Sequence, residues 1–141
     1  MKNLFILGII LITAISSCTK KTSTVAINEV YDSTTAVIRY EGVFKKGPYG
    51  TVSGTARVYE SNGQWQLRLA NFTTTNGPDL KVYLSKEIQP LSFIKLGDLK
   101  STSGNQSYTI TGKPEFTQYK YALIHCEQYN HLFGSAELMM P

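Results

Sequence analysis

The chain has 141 residues, a size that fits one small domain with one core. It carries 14 Lys and Arg residues against 10 Asp and Glu residues, for a formal net charge of +4. The positive charges form no basic stripe interleaved with exposed aromatic residues, which excludes nucleic acid as the expected partner.

Residues 1–17 have the pattern of a secretory leader. Lys2 precedes an apolar run, Leu4–Ile12, and the small residues Ser16–Ser17 end the stretch. A charged start, a short apolar stretch and a small-residue exit are typical of signal peptides. The run is shorter than the roughly 20 apolar residues that a membrane-spanning helix needs. The sequence therefore predicts a cleaved leader.

The end of this leader, Ile15-Ser16-Ser17-Cys18, resembles a bacterial lipobox. The resemblance implies that a diacylglyceryl group is attached through the sulfur of Cys18 and that cleavage occurs just before this residue. Several acyl chains give stable anchoring, whereas a single chain holds a protein only marginally. The alternative is ordinary secretion with Cys18 left as a free thiol.

Residues 18–24 are predicted to be the lipidated cysteine and a flexible tether, because they are polar and lack apolar periodicity. By resemblance to lipoprotein sorting signals, the absence of Asp directly after Cys18 argues against retention in the inner membrane. The absence of an acidic run argues against display on the outer face. We therefore expect a lipid-anchored protein of the bacterial cell envelope, on the periplasmic side of the outer membrane.

The cysteine count restricts the chemistry of the domain. The chain has two cysteines, and lipidation would use Cys18. Cys126 then has no partner for an internal disulfide. An unpaired cysteine in an exported protein is unusual and marks a candidate site. The same count excludes a multi-cysteine zinc site or an iron–sulfur cluster made from this chain alone.

Residues 25–141 read as short β segments separated by turns. From Val52 to Val58 apolar or small residues alternate with polar ones, and Asn62-Gly63 is a hairpin signal. No window shows sustained helical periodicity, so helix is limited at most to a turn near residues 87–94. Regular strand spacing predicts an all-β fold, a single antiparallel β-sandwich or barrel-like domain.

An ordered set of short motifs in this domain resembles the DM-thirteen domain family, over roughly residues 42–138. The pieces that carry the resemblance are Val52-Ser53-Gly54-Thr55-Ala56, Asn71-Phe72, Asn76-Gly77-Pro78-Asp79-Leu80-Lys81-Val82-Tyr83-Leu84-Ser85, Leu96-Gly97-Asp98-Leu99-Lys100, Gly104-Asn105-Gln106-Ser107-Tyr108, Tyr121–Cys126 and Phe133-Gly134-Ser135-Ala136. The family is described as an electron-transfer module. The resemblance implies that the late cysteine, here Cys126, acts as a bare thiol or as a ligand to a prosthetic group such as haem. Many members have a large apolar residue where this chain has His125.

The residues around Cys126 leave two interpretations open. In an extended strand Cys126 shares a face with Ala122 and Ile124, which favours a small buried residue of the core. A redox thiol or thiolate ligand is the other interpretation, and it would need access to solvent or to a cofactor. The expected cofactor is therefore haem or none.

His125, His131 and Asp79 are possible accessory residues of this site. The order Cys126, His131 and a methionine (Met139 or Met140) is similar to a blue-copper loop, but no second histidine lies upstream to complete the ligands. We therefore predict no metal site. Asp79 follows Gly-Pro, where an Asp commonly fixes a turn.

Tyr83 and Tyr108 lie in or beside the matched motifs. Each is a candidate for an outward-facing position, although tyrosines are ordinary residues of strands. No nucleophile–histidine–carboxylate set, phosphate-binding loop or paired-carboxylate motif is present, so an enzyme is not the favoured interpretation. The leading hypothesis is an envelope lipoprotein that transfers electrons through Cys126 to an unknown envelope protein or redox partner. The alternative is a membrane-tethered protein- or glycan-binding module whose cysteine only packs. A third option is a small-ligand carrier with an apolar pocket between the sheets.

Overall fold

The computed structural model describes residues 22–31 and 34–141. The predicted leader, Cys18 and most of the tether lie outside these residues. In the described part the chain forms ten strands, and none of its segments is a helix long and apolar enough to cross a membrane. The strands are β1 Ile27–Asn28, β2 Val37–Val43, β3 Lys45–Lys46, β4 Val52–Ser61, β5 Gln64–Thr74, β6 Leu80–Ser85, β7 Phe93–Asp98, β8 Ser103–Ile110, β9 Tyr121–Cys126 and β10 His131–Glu137.

The strands form two five-stranded sheets. The first sheet has the order β1-β8-β5-β4-β2 and the second has the order β3-β10-β9-β6-β7. Neighbouring strands are antiparallel, except that the short β1 pairs with β8 in parallel. The predicted all-β fold is confirmed, and of its two forms the structure adopts the sandwich.

The hairpin between β4 and β5 turns at the predicted dipeptide. Asn62 and Gly63 have φ angles of 50° and 77°, and Ser61 pairs with Gln64 across the turn. Two consecutive positive φ angles match the right-handed twist of the flanking strands, which is why Asn-Gly is favoured at this position. The alternation predicted for β4 is interrupted at Gly54, where a bulge shifts the register and φ is 109°. Ala56 and Val58 beyond the bulge are fully buried.

The core lies between the two sheets. Its side chains from the first sheet include Ala56, Val58, Leu67, Leu69, Phe72 and Ile110, and those from the second include Leu80, Val82, Leu84, Ala122, Ile124 and Cys126. Burial of each large apolar side chain contributes about 1.5–3 kcal/mol to folding. A second, smaller cluster of Tyr83, Leu123 and Leu132 lies on the other face of the second sheet. The space between the sheets is thus filled by side chains, which argues against the small-ligand carrier.

The sequence did not predict β7, and the segment before it differs from expectation. At most a helical turn was expected near residues 87–94, but residues 87–92 form bends and an irregular segment, and residues 93–94 already belong to β7. β7 is an edge strand that carries exposed polar residues between half-buried apolar ones. Its short apolar stretch, interrupted by Gly97, gives little periodicity from which a strand could be predicted.

The two ends of the sandwich differ in what they hold. At one end the backbone of Ser23 accepts a hydrogen bond from Thr102, and Thr22 and Ser23 lie beside Leu80. Leu80 pairs with Cys126, so the cysteine lies at this end, which we call the tether end. Trp65, the second residue of β5, lies at the opposite end. It precedes Thr73 by eight residues, and an extended strand covers about 26 Å over that length.

Candidate redox site at Cys126

Cys126 is the last residue of β9 and its side chain points into the core. The residue is 1% exposed and shares the inner face of the sheet with Ala122 and Ile124, as predicted. It is a free cysteine in the described part of the chain. The thiol is therefore shielded from solvent.

A four-residue turn, residues 127–130, directly follows Cys126 and closes this corner of the sandwich. The amide of Glu127 donates to the carbonyl of Asp79 at 3.0 Å, and the amide of Asn130 donates to the carbonyl of Glu127 at 3.3 Å. Cys126 pairs with Leu80 on one side and with His131 on the other. Cys126 thus lies next to a turn for which two backbone hydrogen bonds are seen, from Glu127 to Asp79 and from Asn130 to Glu127.

The surroundings of Cys126 do not fit a haem ligand in this conformation. A ligating sulfur must face a planar group of many atoms, whereas this sulfur faces the packed side chains of the core cluster. Protein cores are packed at close to crystal density, so a group of that size would have to displace several side chains. The packed side chains around Cys126 therefore do not fit haem.

His125 lies on the opposite face of the second sheet from Cys126. It is 3% exposed, and its Nε2 lies 3.1 Å from Oδ1 of Asn130, whereas Nδ1 is buried with no hydrogen-bond partner among the described residues. Burial lowers the pKa of His125 below its ordinary value and outweighs the hydrogen bond to Asn130. The imidazole is therefore held in the neutral form and does not assist the thiol.

Tyr83 occupies the same outer face, with its ring 5.5 Å from the His125 ring and 4.3 Å from the Phe93 ring. It points away from the core between the sheets, yet only 1% of the residue is exposed. Burial, the charge of Glu127 and a hydrogen bond to that carboxylate raise the pKa of Tyr83 to about 12. Side chains that point away from the core are covered here because aromatic rings from neighbouring strands pack over them.

Tyr108 is also buried rather than exposed. Its hydroxyl donates to Oε1 of Gln106 at 2.7 Å and accepts from the amide of Lys100 at 3.0 Å. Burial raises the pKa of Tyr108 well above its usual range, despite the hydrogen bond from Lys100. The residue is a structural part of the core.

His131 lies at the start of β10 and is partly exposed. Its ring stacks on Tyr49 with centroids 3.6 Å apart and an interplanar angle of 3°, and the Tyr129 ring lies 5.8 Å away. Tyr49 and Tyr129 are both exposed. These three rings form an aromatic patch on the surface beside Cys126, which the sequence analysis did not predict.

The structure does not bring together the residues of a copper loop. Met139 follows His131 by eight residues along an extended segment, so it lies roughly 26 Å away. Met139 and Met140 are both exposed at the end of the sandwich opposite Cys126. Among the residues that the structure describes, no three His, Cys, Asp or Glu side chains are grouped to hold a metal ion.

Asp79 forms an ion pair that the sequence did not predict. Its Oδ1 lies 2.6 Å from Nζ of Lys81, which also contacts Oδ1 of Asp98 at 2.6 Å. Burial alone would lower the pKa of Lys81, but the hydrogen bonds and charges of the two carboxylates raise it above its ordinary value. The sequence signal for this ion pair was a lysine within the mainly apolar strand β6, because a charged side chain in a buried strand needs a partner of opposite charge.

The fold and this site define a class: an all-β sandwich domain with one free thiol, sealed at the end of a core strand. The sequence of residues 43–138 matches the model of the family described as Electron transfer DM13. The chain therefore belongs to the DM13 family, as its motifs indicated. Comparison with curated proteins and with solved structures found no match.

Proposed function

We propose that the protein is an envelope lipoprotein, anchored through acylated Cys18 to the periplasmic side of the outer membrane, that transfers electrons through Cys126. The family membership carries this proposal, because the matched region, residues 43–138, includes strands β3 to β10 and the late cysteine. The lipobox and the polar tether support the anchor. An envelope protein is the expected partner, through the aromatic patch of Tyr49, Tyr129 and His131.

The position of Cys126 is consistent with a partner at the membrane. The thiol lies at the tether end, where Thr22 and Ser23 contact the domain. A lipid anchor attached four residues before Thr22 would hold this end near the bilayer surface. The thiol would then be closest to partners that are themselves bound to the membrane.

Reaction of the thiol requires local opening of the protein. Cys126 is 1% exposed, but the turn that directly follows it, residues 127–130, is short and has exposed residues. Turns of this kind open with free energies well below that of global unfolding. A partner that binds the turn would therefore expose the thiol without unfolding the sandwich.

Disulfide exchange by the full-length protein in detergent tests the redox role. A lone thiol reacts with a disulfide that a partner supplies: the Cys126 thiolate attacks one sulfur, a mixed disulfide forms and the other sulfur leaves as a thiolate. We expect the native protein and Cys18→Ala to form this mixed disulfide with oxidised glutathione, detected by mass spectrometry, whereas Cys126→Ala does not. A native protein that forms no such adduct would contradict a redox role for this residue. Spectra recorded after addition of haem complete the test, since the packed core predicts no new band that depends on Cys126.

Burial of Cys126 also favours the second candidate, a membrane-tethered binding module in which the cysteine only packs. A free cysteine is among the most buried residue types in proteins that use it for packing alone. This candidate predicts that Cys126→Ala retains partner binding in the envelope. It also predicts that partner binding depends on a surface distant from Cys126.

A further inference from the structure

A cleft of about 830 Å³ opens at the end of the sandwich opposite the tether. Its walls come from the start of β2, the hairpin between β4 and β5, the loop after β8 and the end of the chain. The side chains that line it include Arg39, Tyr40, Glu60, Trp65, Lys113 and Phe116. The volume lies within the range of small-ligand sites, about 300–1,000 Å³.

Three aromatic rings form one wall of this cleft. Phe116 is buried, and its ring centroid lies 4.8 Å from that of Tyr40 and 5.0 Å from that of Trp65. Tyr40 and Trp65 are half-buried, so each presents part of its ring to the cleft. Packing against Phe116 fixes the two outer rings, which gives the cleft a preformed apolar surface.

A charged pair borders the same wall. Nη2 of Arg39 lies 2.7 Å from Oε2 of Glu60, and Nε of Arg39 donates to the same oxygen at 3.2 Å. The other carboxylate oxygen of Glu60 accepts from the amide of Gly63 at 3.1 Å. Glu60 pairs with Trp65 across the two strands, so the carboxylate and the indole ring lie on one face of the sheet. The cleft therefore presents oriented donors and an acceptor beside an aromatic surface.

The charged side chains that line the cleft balance. Arg39 and Lys113 supply two positive charges, and Glu60 and Glu115 supply two negative charges. Nζ of Lys113 lies 5.8 Å from the centroid of the Trp65 ring, and the side chain is exposed and long enough to move aside. A ligand with a large net charge would gain little from such a lining. A neutral ligand with both an apolar face and many hydroxyl groups fits it.

We propose that this cleft binds a neutral saccharide. The apolar C–H face of a pyranose ring stacks on Trp65 or Tyr40, and its hydroxyl groups exchange hydrogen bonds with the Arg39–Glu60 pair and with Lys113. Planar guanidinium and carboxylate groups each form two parallel hydrogen bonds, which matches adjacent hydroxyls of a sugar ring. An entirely apolar ligand would remove water from the Arg39–Glu60 pair and from Lys113 without replacing its hydrogen bonds, which opposes binding.

The position of the cleft favours a ligand outside the membrane. Trp65 lies about 26 Å along β5 from the end where Ser23 meets the domain. Anchoring at the tether end would turn the cleft away from the bilayer. The saccharide site is separate from Cys126 and does not depend on the electron-transfer proposal.

The single tryptophan of the chain gives a direct measurement. We would titrate the full-length protein in detergent with three neutral probes, maltohexaose, cellohexaose and the hexamer of N-acetylglucosamine, and follow Trp65 emission. We expect at least one probe to give a saturable blue shift at millimolar concentration or below, because a stacked sugar removes water from the indole. A fully deacetylated, cationic glucosamine hexamer should bind more weakly than its neutral counterpart.

Calorimetry with variants then locates the site. Trp65→Ala and Glu60→Gln should each weaken binding of the responding probe by about tenfold or more. Glu60→Gln retains the shape of this half-buried side chain, so it separates loss of binding from loss of folding. Phe93→Ala, which removes an exposed aromatic ring on the second sheet, is the matched control and should bind normally. Absence of saturation with all three neutral probes, or binding that Glu60→Gln and Trp65→Ala leave unchanged, would overturn the proposal.

Discussion

Cys126 and His125 are consecutive in β9, yet they lie on opposite faces of the second sheet. The thiol belongs to the core between the sheets, whereas the imidazole lies on the outer face, 5.5 Å from the Tyr83 ring. A strand with regular alternation prevents the two side chains from meeting. The histidine that distinguishes this chain therefore cannot act as the base that activates the thiol, and each residue can be tested alone.

Substitution of Cys126 by alanine and by serine should separate packing from polarity. Cys126→Ala leaves a small cavity and should lower the free energy of unfolding by about 1 kcal/mol. Cys126→Ser places a hydroxyl group in an apolar site and should cost about 1–3 kcal/mol. Urea denaturation of both variants checks this order. A serine variant as stable as the native protein would contradict a sealed apolar environment.

Maleimide labelling should report whether opening of the turn after Cys126, residues 127–130, gives access to the thiol. In the native protein we expect labelling to be slow, because the thiolate is the reactive form and the sulfur is shielded from water. Glu127→Pro removes the amide that donates to Asp79 and should accelerate labelling while the sandwich stays folded. Equal rates for both proteins would show that the turn does not control access.

The sequence predicted the all-β fold and the shared face of Cys126, Ala122 and Ile124 because both follow from local alternation. Asn62-Gly63 determines its own turn, and Cys126 is in phase with Ala122 and Ile124 within one strand. These signals need no knowledge of which strands are neighbours.

The sequence did not predict contacts that depend on the pairing of distant strands. Lys81 meets Asp98 because β6 pairs with β7, and Tyr49 stacks on His131 because the chain before β4 returns beside β10. Glu60 did carry a signal, since a carboxylate in phase with buried Ala56 and Val58 marks a polar group at the end of a core strand. Its cleft, however, forms only when Phe116 packs on Trp65.

The anchor is tested by Cys18→Ala. If the lipobox is processed as proposed, the variant should accumulate as an unlipidated precursor or leave the membrane fraction. Detergent partitioning and mass spectrometry of the N-terminal residue measure this directly. A native protein with an unmodified Cys18 thiol would contradict lipidation and favour ordinary secretion.

The close approach of β1 to β8 can be tested by replacing the glycine at which the two strands meet. Gly104 and Gly112 both have positive φ angles, 101° and 74°, so alanine is strained at either position. A Cβ atom at Gly104 would also overlap the carbonyl oxygen of Ile27, whereas at Gly112 no atom lies within 4 Å. We expect Gly104→Ala to cost at least about 1 kcal/mol more than Gly112→Ala in thermal or urea unfolding. Equal costs would mean that β1 is not paired with β8 in solution.

The neutral, buried state of His125 should make the stability of the protein depend on pH. Its pKa is lowered in the folded state from an ordinary value of 6.5, so between the two values the unfolded chain binds more protons. This contribution to stability is complete above about pH 7 and is lost as the pH falls through 6.5 toward the folded pKa. The slope due to one proton is at most about 1.4 kcal/mol per pH unit.

Two variants should reduce this dependence for different reasons. His125→Gln removes the titrating group, and Asn130→Asp places a carboxylate next to Nε2, where Asn130 Oδ1 lies 3.1 Å away in the native protein. The carboxylate favours the charged imidazole and should raise the pKa of His125. Asp also tolerates the φ angle of 53° at this position. We would measure urea unfolding of the native protein and both variants at intervals from pH 5 to pH 8. If the free energy of unfolding of the variants changes with pH as steeply as that of the native protein, groups other than His125 cause the dependence.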